Sequence, residues 1–420
     1  MLLTCAIPVV ANANSQAIFI SDCRGLQNIA DNLSDDYELI SDINCAGVNF
    51  EPIGTYAKPF VGSLNGNGYT IMDFSIINNP NENDYTGLFG RTKGARIENI
   101  VFENVDIVND PVPPDNNYVG TLVGYAVDTQ IIDVKVQGKI RVIANPYGGG
   151  WVGGLVGYSE NGAINDSSSA IEIETSEFNA GGLMGANGGS ITNSYSTGNI
   201  SENGSGSSIG GLVAYNNRGD ITSCYATGQL IGAHNAGGLI GNNRGGNISY
   251  SYATGDIQDA STAGGIIGFS SEPLNLARSY ATGNVEGNQY LGGLIGFIED
   301  AYISDTYAKG KVTSTGNIRS IGGLIGYGNG SVVTSYSTSE VNGEASGIGG
   351  LLGPYSDARV IASYWDTETS GQSFSAGGTG KTTQEMYQQR TYESWDFTSV
   401  WTINEGIGYP ALIFDAEGNN

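Results

Sequence analysis

Apolar residues along this chain come in bursts of two or three, fenced by glycine and followed by polar turns. Gly153-Gly154-Leu155-Val156-Gly157 recurs as Gly181-Gly182-Leu183-Met184-Gly185, and again at Gly210, Gly237, Gly264, Gly292, Gly322 and Gly349. The intervals between first glycines are 28, 29, 27, 27, 28, 30 and 27 residues. Two looser copies precede them, Gly87-Leu88-Phe89-Gly90 and Gly120-Thr121-Leu122-Val123-Gly124. A second phrase follows most copies, as in Ile191-Thr192-Asn193-Ser194-Tyr195-Ser196-Thr197-Gly198 and Ile221-Thr222-Ser223-Cys224-Tyr225-Ala226-Thr227-Gly228. A single apolar residue then closes the unit: Ile200, Leu230, Ile257, Val285, Val312 or Val341. Each unit thus offers three short β-branched pieces separated by Gly, Asn and Ser turns, too short for helices.

Such a unit cannot bury its own apolar face, but stacked copies bury a continuous core and pair each backbone with its neighbours. The expected fold is all-β: a parallel β-helix (β-solenoid) of about ten coils of roughly 28 residues, with N- and C-terminal caps. A β-propeller is the alternative, but its blades need about 40 residues. The calcium-binding nonapeptide phrase of other solenoids does not occur. The paired glycines read as sharp turns that permit positive φ.

Equivalent residues of stacked coils form ladders. One would hold Tyr195, Tyr225, Tyr252, Tyr280, Tyr307, Tyr336 and Tyr364, beside Thr197, Thr227, Thr254, Thr282 and Thr338, with Lys309 interrupting the threonines. Strict alternation from Ile191 would turn the tyrosines inward and bury the charges of Arg278 and Asp305, which is costly. A bend at the middle residue removes that conflict. It points Ser194, Cys224, Ser251, Ser279, Thr306, Ser335 and Ser363 inward and the Tyr–Thr ladder outward. The outward arrangement is preferred and makes the ladder a candidate ligand-facing surface for sugar rings. Tyrosines stacked in the core are the alternative.

The ends differ from the repeat. Residues 14–84 read as an N-terminal cap with an irregular first coil, including a short helix over Leu26–Leu33 and a strand at Tyr37–Ile40. Repeats occupy 85–365. Residues 366–420 read as a C-terminal cap, in which Thr382-Thr383-Gln384-Glu385 is a capping box. Trp365, Trp395 and Trp401 read as its hydrophobic plug. Met1 to Val10, followed by Ala11-Asn12-Ala13, reads as a signal peptide over 1–13, truncated because the basic n-region is lacking; a buried N-terminal strand is the alternative.

Composition narrows the classes. The chain has 65 Gly but only 11 Pro among 420 residues, so it is not collagen. Its 39% hydrophobic and 10% aromatic content excludes a disordered linker. Lys and Arg number 17 against 42 Asp and Glu, and the net charge of −25 excludes a nucleic-acid partner. No apolar stretch approaches the length of a transmembrane helix. Cys23 and Cys45 bracket a compact segment and form the candidate disulfide. No metal site is expected, since His234 is the single histidine and CxxC is absent. No cofactor is implied.

The phrase G-G-L-[IV]-G, then I-x-x-S-Y-A-T-G, resembles the GLUG repeat family of secreted and surface-attached bacterial proteins. The closing segments Tyr364-Trp365-Asp366-Thr367-Glu368-Thr369-Ser370-Gly371 and Trp401-Thr402-Ile403-Asn404-Glu405-Gly406 resemble the unit that ends such arrays. The resemblance implies an extracellular or cell-surface protein, adhesin-like and related in architecture to filamentous haemagglutinin passengers. GLUG repeats also accompany IgA-cleaving metallopeptidases, whose H-E-x-x-H motif is absent here. The resemblance therefore implies only their non-catalytic part.

Three functions remain in view. The preferred one is a non-catalytic solenoid acting in adhesion, with glycans or extracellular host-surface proteins as partners. No sorting motif follows Ala411–Asp415, so a separate secretion or anchoring partner is expected. The second is a polysaccharide hydrolase or lyase. It would need a paired-carboxylate centre, yet neither Asp35-Asp36 nor Asp300 with Asp305 breaks the repeat, so no catalytic residue is assigned. The third is an ice- or mineral-binding face along the threonines.

Overall fold

The computed structural model describes residues 17–77, 85–109, 117–142, 149–204, 207–316, 319–343 and 347–417; the signal-peptide expectation lies outside them. The chain is a parallel β-solenoid of about 11 turns. One column of inward residues runs in register through Tyr37, Leu64, Ile97, Ile131, Ile164, Ile191, Ile221, Ile248, Leu276, Ile303, Val332 and Val360. Backbone amides donate from coil to coil, as from Leu183 to Leu212 and from Leu212 to Leu239, both at 3.0 Å.

Stacking begins earlier than the repeat phrase. Ile18–Ile20, Asp36–Leu39 and Ser63–Asn65 already pair in parallel with their successors, so coils stack within the expected N-terminal cap and irregular first coil. A β-ladder needs backbone register and an inward apolar residue, not the glycine phrase. The helix expected over Leu26–Leu33 is shorter and earlier: α1 (Cys23–Gln27) is followed by a 3-10 turn at Asn28–Asp31. Asp22 caps α1 by accepting from the Gly25 amide at 2.7 Å. A disulfide joins Cys23 to Cys45 across a Cα–Cα distance of 5.3 Å.

Each coil bends at the middle residue of the second phrase. Asn193, Ser223, Tyr250, Arg278, Asp305, Thr334 and Ala362 all take positive φ, between 44° and 56°. Their left-handed conformation resets the inward–outward alternation. The following Ser194, Cys224, Ser251, Ser279, Thr306, Ser335 and Ser363 are buried. This column is wired: the amide of Cys224 donates to Ser251 Oγ at 3.1 Å, and that of Ser335 to Ser363 Oγ at 3.1 Å. Ser251 and Ser363 in turn donate to the carbonyls of Ser249 and Ile361, at 2.8 and 2.9 Å. The hydroxyls supply acceptors where the bend interrupts the ladder.

The paired glycines have another reason than the one expected. None has positive φ. A Cβ on Gly181 would collide with the Met184 carbonyl oxygen, and one on Gly182 with the Gly211 carbonyl oxygen and Ser196. Close approach of successive backbones, not torsional freedom, excludes a side chain there.

The C-terminal segment does not simply plug the end. Tyr364–Asp366 pairs with Thr379–Lys381, and Trp365 packs at the end of the lumen with its Nε1 donating to the Gln372 carbonyl at 3.1 Å. Helix α2 (Thr367–Ser370) starts on the Asp366 side chain, and α3 (Thr383–Met386) on the capping box of Thr382 and Glu385. Beyond α3 the chain turns back along the outside of the solenoid and ends in α4 (Ile413–Glu417). Trp395 and Trp401 belong to this returning segment, in a cluster separate from the lumen core.

Candidate functional site

The tyrosine ladder lies outside the lumen. Successive rings from Tyr195 through Tyr225, Tyr252, Tyr280 and Tyr307 stack with centroids 4.6–4.9 Å apart and interplanar angles of 1–5°. Tyr336 continues the stack at 5.2 Å and 14°. Tyr364 instead meets Tyr392 edge-on at 5.4 Å. The spacing is that of neighbouring strands, so the coil repeat itself sets it.

The returning segment covers the C-terminal half of this ladder, which corrects the expectation of seven ligand-facing tyrosines. Tyr280, Tyr307, Tyr336 and Tyr364 are buried beneath Trp395, Trp401, Tyr409 and Phe414. Tyr280 and Tyr307 donate to the two oxygens of Asp415 at 2.6 and 2.9 Å. Tyr336 donates to the Pro410 carbonyl at 2.5 Å. Trp395 Nε1 donates to the Ala362 carbonyl at 2.8 Å, and Trp401 Nε1 to Asp305 Oδ1 at 3.2 Å. Burial drives the pKa values of Tyr280, Tyr307 and Tyr336 well above the ordinary tyrosine range.

What stays open is the N-terminal half. Tyr195, Tyr225 and Tyr252 are half-buried, and Thr197, Thr227 and Thr254 beside them are exposed; Thr282 and Thr338 are half-buried. Where the open ladder meets the returning segment there is a cavity of about 430 Å³. Tyr252, Tyr280, Thr254, Thr282, Lys309, Phe414 and Asp415 contribute to its walls. The Lys309 ammonium lies 4.6 Å from the centre of the Tyr307 ring. Burial lowers its pKa, and the nearby Asp415 charge opposes that shift.

A second aromatic surface was missed in the sequence. The residue after G-G-L-[IV]-G forms its own outer column, in which Tyr125 stacks on Tyr158 at 4.8 Å, Phe269 on Phe297 at 4.9 Å and Phe297 on Tyr327 at 5.0 Å. Tyr85, Tyr118 and Trp151 stack beside its first rungs at 5.4 and 5.5 Å. The Arg91 guanidinium lies 4.2 Å from the Tyr56 ring centre and 4.9 Å from that of Tyr125. Its signal was the constant offset of these aromatics from the glycine phrase.

The remaining candidates have structural places. Cys224 is buried in the serine column, and burial pushes its thiol up to about 12. His234 and Asp300 are exposed. Asp305 accepts from Thr334 Oγ1 at 2.6 Å and anchors Trp401, so it is part of the scaffold. Among the described residues no group of three or more His, Cys, Asp or Glu side chains could hold a metal ion. Among them, too, no helix is long and apolar enough to cross a membrane.

This geometry defines a repeat solenoid with aromatic outer ladders. Residues 176–201, 205–231 and 232–258 match the GLUG motif family model, so the chain carries GLUG repeats. Residues 11–138 match the model described as the M26 IgA1-specific metallo-endopeptidase N-terminal region. The chain is 29% identical to halomucin of Haloquadratum walsbyi over 204 residues, covering 40% of this chain. It is 29% identical to an immunoglobulin A1 protease of Streptococcus pneumoniae over 230 residues, covering 50% of this chain. The matches span only 2% and 11% of those relatives' lengths. A crystal structure assigned as an immunoglobulin A1 protease from Bacteroides ovatus aligns over 96% of this chain and 94% of that one, at 16% identity and a TM-score of 0.42.

Proposed function

We propose that this protein is a secreted or cell-surface, non-catalytic solenoid that acts in adhesion by binding glycans along the open half of its tyrosine–threonine ladder. The observation that carries this reading is the pairing of Tyr195, Tyr225 and Tyr252 with exposed Thr197, Thr227 and Thr254 on consecutive rungs. Rings stacked on one another present edges and hydroxyls outward, alternating with threonine hydroxyls. That is a rigid row of donors and acceptors with little side-chain entropy to lose on binding. The next three rungs of the same ladder, Tyr280, Tyr307 and Tyr336, already hold a polypeptide segment through their hydroxyls. The similarity to an immunoglobulin A1 protease and to halomucin supports a place outside the cell. The match to the M26 N-terminal region supports a non-catalytic role.

The test is binding of the purified protein to a panel of glycans and matrix proteins, with the double variant Tyr195→Ala/Tyr225→Ala as the comparison. Loss of binding in the variant supports the ladder. Unchanged binding in the variant, or release of reducing ends or unsaturated sugars from the panel, overturns the reading.

A further inference from the structure

We infer that the cavity where the open ladder passes beneath the C-terminal segment is a subsite for one neutral pyranose ring, held through adjacent hydroxyls by Lys309 and Asp415. This rests on the glycan reading above and names the ring that the ladder would deliver. The cavity, about 430 Å³, lies at the low end of small-molecule sites. It suits a sugar unit rather than a large ligand.

Lys309 is the anomaly that points to it. The equivalent position on five of the other six rungs holds Thr197, Thr227, Thr254, Thr282 and Thr338; on the last, after Tyr364, it holds Asp366. Here a long cation replaces a short hydroxyl. Its ammonium faces the Tyr307 ring, and among the described residues it makes no hydrogen bond or ion pair. A half-buried ammonium has three donors to satisfy, and a ring hydroxyl in the cavity meets that need.

Asp415 supplies the opposite function. Its oxygens accept from Tyr280 and Tyr307, which fixes the carboxylate at the cavity edge. An ionised carboxylate has about four acceptor sites, so it can take a ligand hydroxyl as well. A cation and an anion on one wall suit the donor–acceptor alternation of vicinal hydroxyls. They also leave the cavity close to neutral, and the chain's net charge of −25 disfavours an acidic ring. Phe414, which packs against Tyr250 and Tyr280 with centroids at 5.7 and 6.0 Å, offers an apolar wall for the C–H face of the ring.

The experiment titrates the full chain with cellohexaose, maltohexaose and hexagalacturonate, using Lys309→Thr, Asp415→Asn and the double variant Tyr195→Ala/Tyr225→Ala. Lys309→Thr restores the residue of the neighbouring rungs, so its thermal midpoint should match the parent. We expect a neutral hexasaccharide to bind. Lys309→Thr and Asp415→Asn should each weaken it about tenfold or more, as loss of a charged hydrogen bond does. Unchanged affinity in both, with loss in the tyrosine variant, overturns the subsite while the ladder stands. Loss in both with an unaffected tyrosine variant supports the subsite and removes the ladder. Tighter binding of hexagalacturonate, or binding of none of the three, overturns the proposal.

Discussion

The Tyr307 hydroxyl donates to the Asp415 carboxylate at 2.9 Å across 108 residues of chain. That bond ties the last turn of the polypeptide to a coil well inside the array. With its neighbours it divides one uniform ladder into a covered and an open half. Four further consequences can be measured.

Trp401 is fully buried against Tyr307 and Tyr336, with ring centroids at 6.3 and 6.0 Å. Trp401→Ala should destabilise the docking of the returning segment by about 3–5 kcal/mol, as large aromatic truncations do. Hydrogen exchange should then rise over residues 383–417 while the lumen strands stay protected. Equal loss of protection in both regions would contradict separate docking.

The covered tyrosines should make the returning segment alkali-sensitive. Burial raises the pKa of Tyr280, Tyr307 and Tyr336 above the unfolded value of about 10. The neutral phenols are thus favoured in the folded state. Their contribution is intact below pH ~10 and falls as pH rises above it. Tyrosinate absorbance should show these rings ionising together with release of the segment. Ionisation with the segment still protected from exchange would refute this.

The serine column should be sensitive to loss of its hydroxyls. Ser251→Ala leaves the buried Cys224 amide without its acceptor, at a cost of about 1–3 kcal/mol. Cys224→Ser places in the column the residue that most other rungs carry, so it should change stability by less than about 0.5 kcal/mol. Urea midpoints of the two variants give the comparison.

Glycine substitutions should separate close approach from turn freedom. Gly182→Ala forces a methyl group against the Gly211 carbonyl and should cost about 3 kcal/mol. Gly408→Ala has open space and no positive φ, so it should be nearly neutral. Thermal midpoints of the two proteins decide it.

Much of the scaffold was legible because a solenoid turns sequence period directly into spatial stacking. Comparing copies favoured an inward Ser194 and Cys224, because strict alternation would bury Arg278 and Asp305 at a cost; the left-handed bend at these positions decides it. The capping box of Thr382 and Glu385 was equally readable, being a local bond. At Gly181 and Gly182 sequence does not distinguish a residue needed for its torsion from one needed for its size. The N-terminal coils are hard to read as coils in sequence because Ile18, Tyr37 and Leu64 pair without the repeat phrase. The outer column of Tyr125, Tyr158, Phe269 and Phe297 keeps a constant offset from the glycine phrase, but other copies place Ala186 and Asn242 there, which weakens its signal in sequence.

By itself, the sequence determined the coil and which tyrosines and threonines share a ladder, and it favoured the outward direction without deciding it. These follow from a period of roughly 28 residues and from the cost of burying charge. Only the tertiary structure decided which rungs remain open. Trp395, Trp401 and Asp415 read as end-cap residues in sequence, and no periodic relation links them to Tyr280, Tyr307 or Tyr336. Their docking depends on where a non-repeating segment finds a matching row of rings and hydroxyls. That is a long-range complementarity, and it appears only once the coils have stacked.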